Sequence, residues 1–176
     1  MPRPLELPFD PIARAGDLWE EHFGVAGPMR VATSIMRAQQ LLLARYDALL
    51  KPHGLTFARY EALVLLHFSR SGELPLSVIG QRLMVHPTSV TNTIDRLVGQ
   101  GLVQRRRNPR DGRGVLASLT ESGRKVVVKA TDDLMGDGFG LSGYDDRQLD
   151  AMFALLRELR LAAGDFRADA LSPASS

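Results

Sequence analysis

The stretch that most constrains this chain runs from Ser77 to Leu119, where breaks fall too close together for any element to be long. Ser77 to about Met84 carries Val78, Ile79 and Leu83 at helical spacing. Val85-His86-Pro87 interrupts that period, and Pro87 suits the first position of a new helix because its missing N–H would lack a partner there anyway. The second segment runs to Gln100, and Gly101 supplies a left-handed stop. Two strand-like runs follow, around Leu102 to Arg107 and Val115 to Leu119. Between them lies the turn-rich basic loop Asn108-Pro109-Arg110-Asp111-Gly112-Arg113-Gly114. Two short helices and a hairpin cannot each bury an apolar face alone, so they are expected to pack as one unit.

Longer helices flank this unit. Four of the ten prolines lie within the first eleven residues, which predicts an extended arm, and Asp17 to Phe23 follows as a short helix. Met29 to Lys51 has helical spacing and stops at Pro52-His53-Gly54. Thr56 is read as the cap of a helix whose body, Tyr60 to Phe68, is apolar nearly all round and so central. Ser71 to Pro75 reads as a loop. Thr120 caps a helix to about Met135, and glycines at 136, 138, 140 and 143 separate it from the last one. That last helix is expected to start on a capping box of Ser142 and Asp145, with a stripe of Leu149, Met152, Phe153, Leu156, Leu159 and Ala163. The fold class is therefore mainly α with a small β-hairpin, a winged helix-turn-helix on a helical base.

Several function classes drop out. The chain has no cysteine, which removes disulfides, thiolate metal sites and thiol redox chemistry. Its four histidines are scattered without metal-ligand spacing, and there is no phosphate-cradling glycine loop and no nucleophile elbow, so neither enzyme activity nor a cofactor is expected. The longest apolar run, Ala151 to Leu156, is too short for a membrane span, and no export signal is apparent, so a cytoplasmic location is expected.

What remains is DNA. On a helical wheel Val90, Ile94, Leu97 and Val98 share one face of the second short helix, predicted to be buried. The opposite face carries Thr88, Ser89, Asn92, Asp95, Arg96 and Gly99, small and polar with one long cation, which suits close approach to base edges and phosphates. Charge agrees. Leu76 to Lys125 holds nine basic and three acidic residues, a charge of +6, which leaves −4 for the rest of a chain whose total is +2. A basic segment on an acidic remainder is the footprint of phosphate binding. A winged helix used only as a protein-interaction module need not keep either feature.

The run Leu83 to Leu97 followed by Gly101-Leu102-Val103 resembles the recognition-helix block of the MarR family of bacterial transcription regulators. Asp111-Gly112-Arg113 resembles that family's wing signature, and Leu119 to Arg124 resembles its start of the helix after the wing. The resemblance implies a ligand-responsive homodimer, usually a repressor, on a pseudo-palindromic operator with half-sites about one helical turn apart. It divides the chain into an N-terminal arm and short helix (1–28), a dimerisation region (29–55 and 125–166), a DNA-binding winged helix (56–124) and a disordered tail (167–176). It also implies site roles. Arg113 enters the minor groove and Asp111 orients it, Thr88, Ser89 and Asn92 read or brace base edges, and Arg96 holds phosphate. His86 stands where the family often has a small capping residue and is read as a phosphate donor, and Arg110 is read as a further DNA-binding residue.

Members of this family commonly respond to small phenolic or aromatic ligands in a crevice between base and winged helix. The residues here that could line one are Met36, Tyr46, His53, Phe57, Arg59, Tyr60 and His67, with Trp19 and His22 from the N-terminal helix. Trp19 resembles the pocket tryptophan of the urate-responsive subgroup, although Glu61 stands where that subgroup has an aspartate. The same aromatic and histidine side chains at helical spacing also suit an ordinary core, and both readings stand.

Overall fold

A computed structural model describes residues 5–109 and 114–167. Its helices are α1 (Pro11–Phe23), α2 (Gly27–Leu50), α3 (Phe57–Phe68), α4 (Leu76–Leu83), α5 (Pro87–Gly99), α6 (Glu121–Gly136) and α7 (Asp146–Ala162). Its strands are β1 (Glu73–Pro75), β2 (Val103–Arg107) and β3 (Val115–Leu119), an antiparallel sheet in the order β1-β3-β2. Most of the disordered-tail expectation, residues 168–176, lies outside the described residues, as do 1–4 and the wing tip 110–113. No helix among the described residues is long and apolar enough to cross a membrane.

The core follows from α3, whose Ala62, Leu63 and Leu66 are fully buried among α2, α5, α6 and the sheet. Leu50, Ile79, Ile94, Leu97, Val103, Val127 and Leu134 close around it. Each such side chain contributes about 1.5–3 kcal/mol of burial, so α5 is fastened to the same core as α2, α3 and α6. α7 has no buried residue at all.

Five local expectations are corrected. The N-terminal arm becomes helical at Pro11, six residues earlier than expected, because the Asp10 carboxylate accepts from the Ile12 N–H at 2.9 Å and proline is harmless in a first turn. Thr56 stands at the N-cap of α3 but makes no side-chain cap bond. Instead the Phe57 N–H donates to Asp47 Oδ1 of α2 at 2.7 Å. Residues 73–75 are a strand rather than loop, paired Glu73↔Ser118, Leu74↔Ala117 and Pro75↔Leu116. The box that opens α7 joins Asp145 to Gln148, not Ser142 to Asp145. Gln148 N–H donates to Asp145 Oδ1 at 2.8 Å and the Asp145 N–H to Gln148 Oε1 at 3.0 Å. Val98, read as part of the buried face, is 37% exposed.

The glycine-rich break is a shaped joint. Gly138, Phe139 and Gly140 all adopt left-handed backbone, with φ of 60°, 51° and 73°. Phe139 has no glycine-like freedom, and neighbours hold it: Tyr46 donates its hydroxyl to the Phe139 carbonyl at 2.9 Å and meets the ring edge-on at 5.9 Å. Burial raises the pKa of the Tyr46 phenol, which keeps it a donor. Beside it, Arg45 Nε donates to Asp137 Oδ2 at 2.7 Å, and this bond holds the Asp137 carboxyl below its usual range. A carboxylate with a lowered native pKa adds stability that is complete above the unfolded pKa and fades as pH falls through the native one. Arg45→Met should therefore flatten the acid limb of a plot of Tm against pH and leave the limb above neutrality parallel to wild type.

Candidate nucleic-acid interface

α4 and α5 meet at a turn that depends on two close approaches. A Cβ on Gly80 would sit 3.1 Å from Val90 Cγ2 and 3.4 Å from the Val85 carbonyl oxygen, so a hydrogen there lets α5 cross α4 tightly. Met84 ends α4 in left-handed backbone (φ 55°, ψ 39°), and the Val85 N–H returns to the Gly80 carbonyl at 3.1 Å. Nothing in the local sequence flags Met84, because glycine is the usual occupant of such a stop.

His86 then caps α5: its Nδ1 accepts from the Thr88 N–H at 3.3 Å. With Nδ1 accepting, the neutral ring carries its proton on Nε2 and keeps a donor in reserve. Val90, Ile94 and Leu97 are buried, and Thr88, Ser89, Asn92, Asp95 and Arg96 are exposed on the other side. The Thr91 hydroxyl turns back to the Pro87 carbonyl at 3.2 Å. The surface presented by α5 is thus short side chains around Asn92, with Arg96 one turn further on. Arg96 forms no ion pair among the described residues.

The wing grows from β2 and β3, registered from Val103↔Leu119 to Arg107↔Val115, and its loop is closed at the root by the Asn108 N–H donating to the Gly114 carbonyl at 2.9 Å. The predicted tip residues Arg110, Asp111 and Arg113 lie outside the described residues. Two ion pairs orient the stem. Arg105 Nη1 is paired with Asp95 Oδ1, joining β2 to α5. Arg106 Nη2 donates to Glu73 Oε1 at 2.6 Å and Oε2 at 2.7 Å, and the Ser118 hydroxyl adds a bond to Oε2 at 3.2 Å. Glu73, unremarked in the sequence, is therefore the residue that ties β1 to the wing across β3.

The residues that could line a ligand crevice do not converge. Tyr46, Phe57 and Tyr60 form one aromatic run, with ring centroids 4.8 and 6.1 Å apart, and the Tyr60 hydroxyl is hydrogen-bonded to Thr131 Oγ1 at 3.0 Å. Tyr60 and His67 border a groove of about 170 Å3 between α3 and α6, with Val64, Val128, Thr131 and Asp132. His53 is paired with Asp133 at 2.6 Å, and Arg59 donates to the Gly54 carbonyl at 3.1 Å. Met36 borders a separate groove of about 450 Å3 between α2 and the N-terminal arm. On α1, Trp19 packs against Phe23 at 5.0 Å and His22 Nδ1 bonds the Leu18 carbonyl at 2.8 Å. Glu61 lies exposed on α3.

A family model described as MarR family matches residues 53–114. The organic hydroperoxide resistance transcriptional regulator of Bacillus subtilis is 36% identical over 119 residues, which is 65% of this chain and 79% of that protein. The structure of Sco5413, a MarR family transcriptional regulator from Streptomyces coelicolor, is 64% identical with a TM-score of 0.74, over 79% of this chain and 96% of that one. Sco3205 from the same organism, a MarR family regulator solved in complex with DNA, has a TM-score of 0.71 at 22% identity over 80% of this chain and 92% of its own, a likeness of fold.

Proposed function

This chain belongs to the MarR family of sequence-specific, DNA-binding transcription regulators, and from that premise we propose that it is a ligand-responsive repressor that binds a pseudo-palindromic operator as a homodimer. The observation that carries this reading is the pairing of an exposed, small and polar α5 face with buried Val90, Ile94 and Leu97 opposite it, set beside a basic wing stem. A helix held by Ile94 and Leu97 cannot tilt away, so Thr88, Ser89 and Asn92 can be inserted in the major groove as a fixed pattern. Asn92 has the amide donor and acceptor that address an adenine edge, worth about 1–3 kcal/mol of discrimination. His86 Nε2 and Arg96 take backbone phosphates, Arg113, oriented by Asp111, takes the flanking minor groove, and Arg110 adds a further DNA contact.

In this reading residues 56–124 are the DNA-binding unit and 29–55 with 125–166 the dimerisation region. The protein acts in the cytoplasm, where its operator is. Its relatives are transcription regulators rather than enzymes. The signal enters by reversible binding of a small aromatic or phenolic ligand between base and winged helix, for which the groove bordered by Tyr60 and His67 offers apolar walls and polar ends. A thiol route is closed to a chain without cysteine.

A gel shift with DNA from beside its own gene tests the function. We expect a complex that resists a random competitor duplex and weakens steeply with salt. Equal affinity for every duplex would overturn the sequence-specific reading. Arg113→Ala should weaken that complex about tenfold, at roughly 1.4 kcal/mol per decade, and leave the dimer intact by sedimentation. Unchanged affinity would remove the wing tip from the mechanism.

A further inference from the structure

The wing stem carries three consecutive arginines, and carboxylates of the chain itself engage two of them. Strand alternation sends neighbouring side chains to opposite faces of the sheet, and each of the two finds its anion there: Arg106 on Glu73, Arg105 on Asp95. Arg107 forms no ion pair among the described residues. The Asp95 pair is unusual in its placement. Asp95 is the only acidic residue of α5 and lies on its exposed face, next to Arg96 and three residues beyond Asn92. A duplex brings one negative charge per about 1.7 Å of its axis to such a face, so an isolated carboxylate there would repel it. Arg105 cancels that charge. The reverse also holds: Asp95 cancels a cation that could otherwise add a phosphate contact indifferent to sequence.

Stability does not account for the pair. The Asp95 side chain is 52% exposed and that of Arg105 32%, and ion pairs this open add little to folding. We propose that Asp95 is a specificity-determining residue: by holding Arg105 away from the DNA backbone it lowers the affinity for arbitrary duplexes, so that the short side chains of α5 decide where the protein stops. The inference rests on α5 being the DNA-reading helix.

Full-length wild-type protein is first used to select a duplex from a random pool. The selected duplex and a scrambled one of equal length are then titrated between about 50 and 200 mM salt. For Asp95→Asn on the scrambled duplex we expect the plot of log affinity against log salt to steepen by about 0.9 per subunit, about 1.8 for the dimer, so that its gain in affinity over wild type is about tenfold larger at the low-salt end than at the high-salt end. Affinity for the selected duplex should change less, so the ratio between the two falls. Asp95→Asn combined with Arg105→Gln removes the pair without releasing a cation, and its slope should return to the wild-type value. If Asp95→Asn weakens both duplexes in parallel with no change of slope, the pair is only a brace and the proposal is overturned. A double variant as steep as the single one overturns it too. If the wild-type protein enriches no duplex, the proposed DNA-binding function fails and this inference with it, an outcome distinct from a selective wild type beside an unaltered variant.

Discussion

A chain ended before Leu149 is expected to sediment as a monomer and to lose at least about 100-fold in operator affinity, since two tethered half-site contacts exceed one by 10² or more. The reason lies in how little of α7 the protomer uses. No residue of α7 is buried, and Phe153, Leu156 and Leu159, which lie along its apolar stripe, are 61%, 44% and 55% exposed. An exposed apolar stripe of that kind marks an interaction site. Exposed apolar side chains also stand on α1 and α2, among them Phe23, Val31 and Met36. In a two-fold dimer each α7 contact occurs twice, and each large side chain covered is worth about 1.5–3 kcal/mol. The core, in contrast, draws on residues from α2 to α6 and none from α7. The shortened chain should therefore keep its helical signal and a cooperative melt. A truncated protein that is still dimeric and still binds operator at full strength would remove α7 from the dimerisation region.

What could be read in the sequence was whatever is decided within a few residues. Pro87 and Gly101 bracket α5, Thr120 caps α6 by accepting from the Gly123 N–H at 2.9 Å, and the alternation of buried and exposed positions along α5 needs only its own period. What could not be read was decided across the fold. β1 is three residues long and ends in proline, so it has no strand signature of its own; it exists because β3 offers an open edge. α3 is capped from α2 by Asp47, ten residues away, where the sequence offered Thr56 next door. Arg30 crosses α1 at Gly16 to reach Asp17 at 2.7 Å and Glu20 at 2.9 Å, a contact no periodicity encodes. A Cβ at Gly16 would lie 1.9 Å from Arg30 Nε, so a side chain there would make the guanidinium swing aside from this path. The polar reading face of the candidate site was legible for the same local reason as α5 itself. The charges that orient the wing were not, because Glu73 and Asp95 meet their arginines only after the sheet has formed. The ligand residues failed to converge because aromatic side chains at helical spacing serve the core first: Tyr46, Phe57 and Tyr60 pack on one another.

The wing and the base share one residue through which both can be disturbed. Gly123, in the first turn of α6, lies directly against the Leu102 carbonyl. A Cβ added there would sit 2.1 Å from that oxygen, 3.0 Å from its carbon and 2.9 Å from Leu119 Cδ1. The oxygen is backbone and already held, since it accepts from the Thr120 N–H at 3.1 Å and the Thr120 hydroxyl at 3.0 Å. It cannot rotate aside as a side chain would. Gly123→Ala must then move α6 away from the point where α5 passes into β2, and either break the Thr120 cap or open the root of the wing. Overpacking against fixed backbone costs about 3 kcal/mol or more, which for a chain of this size lowers Tm by roughly 6–12 °C. Asn92→Ala, on the exposed face of α5, should leave Tm within about 2 °C, since it touches no feature that sets stability. Operator affinity should fall in both, but only Gly123→Ala should lose it together with the melt. If Gly123→Ala melts like wild type, the junction yields, and α6 does not fix the wing.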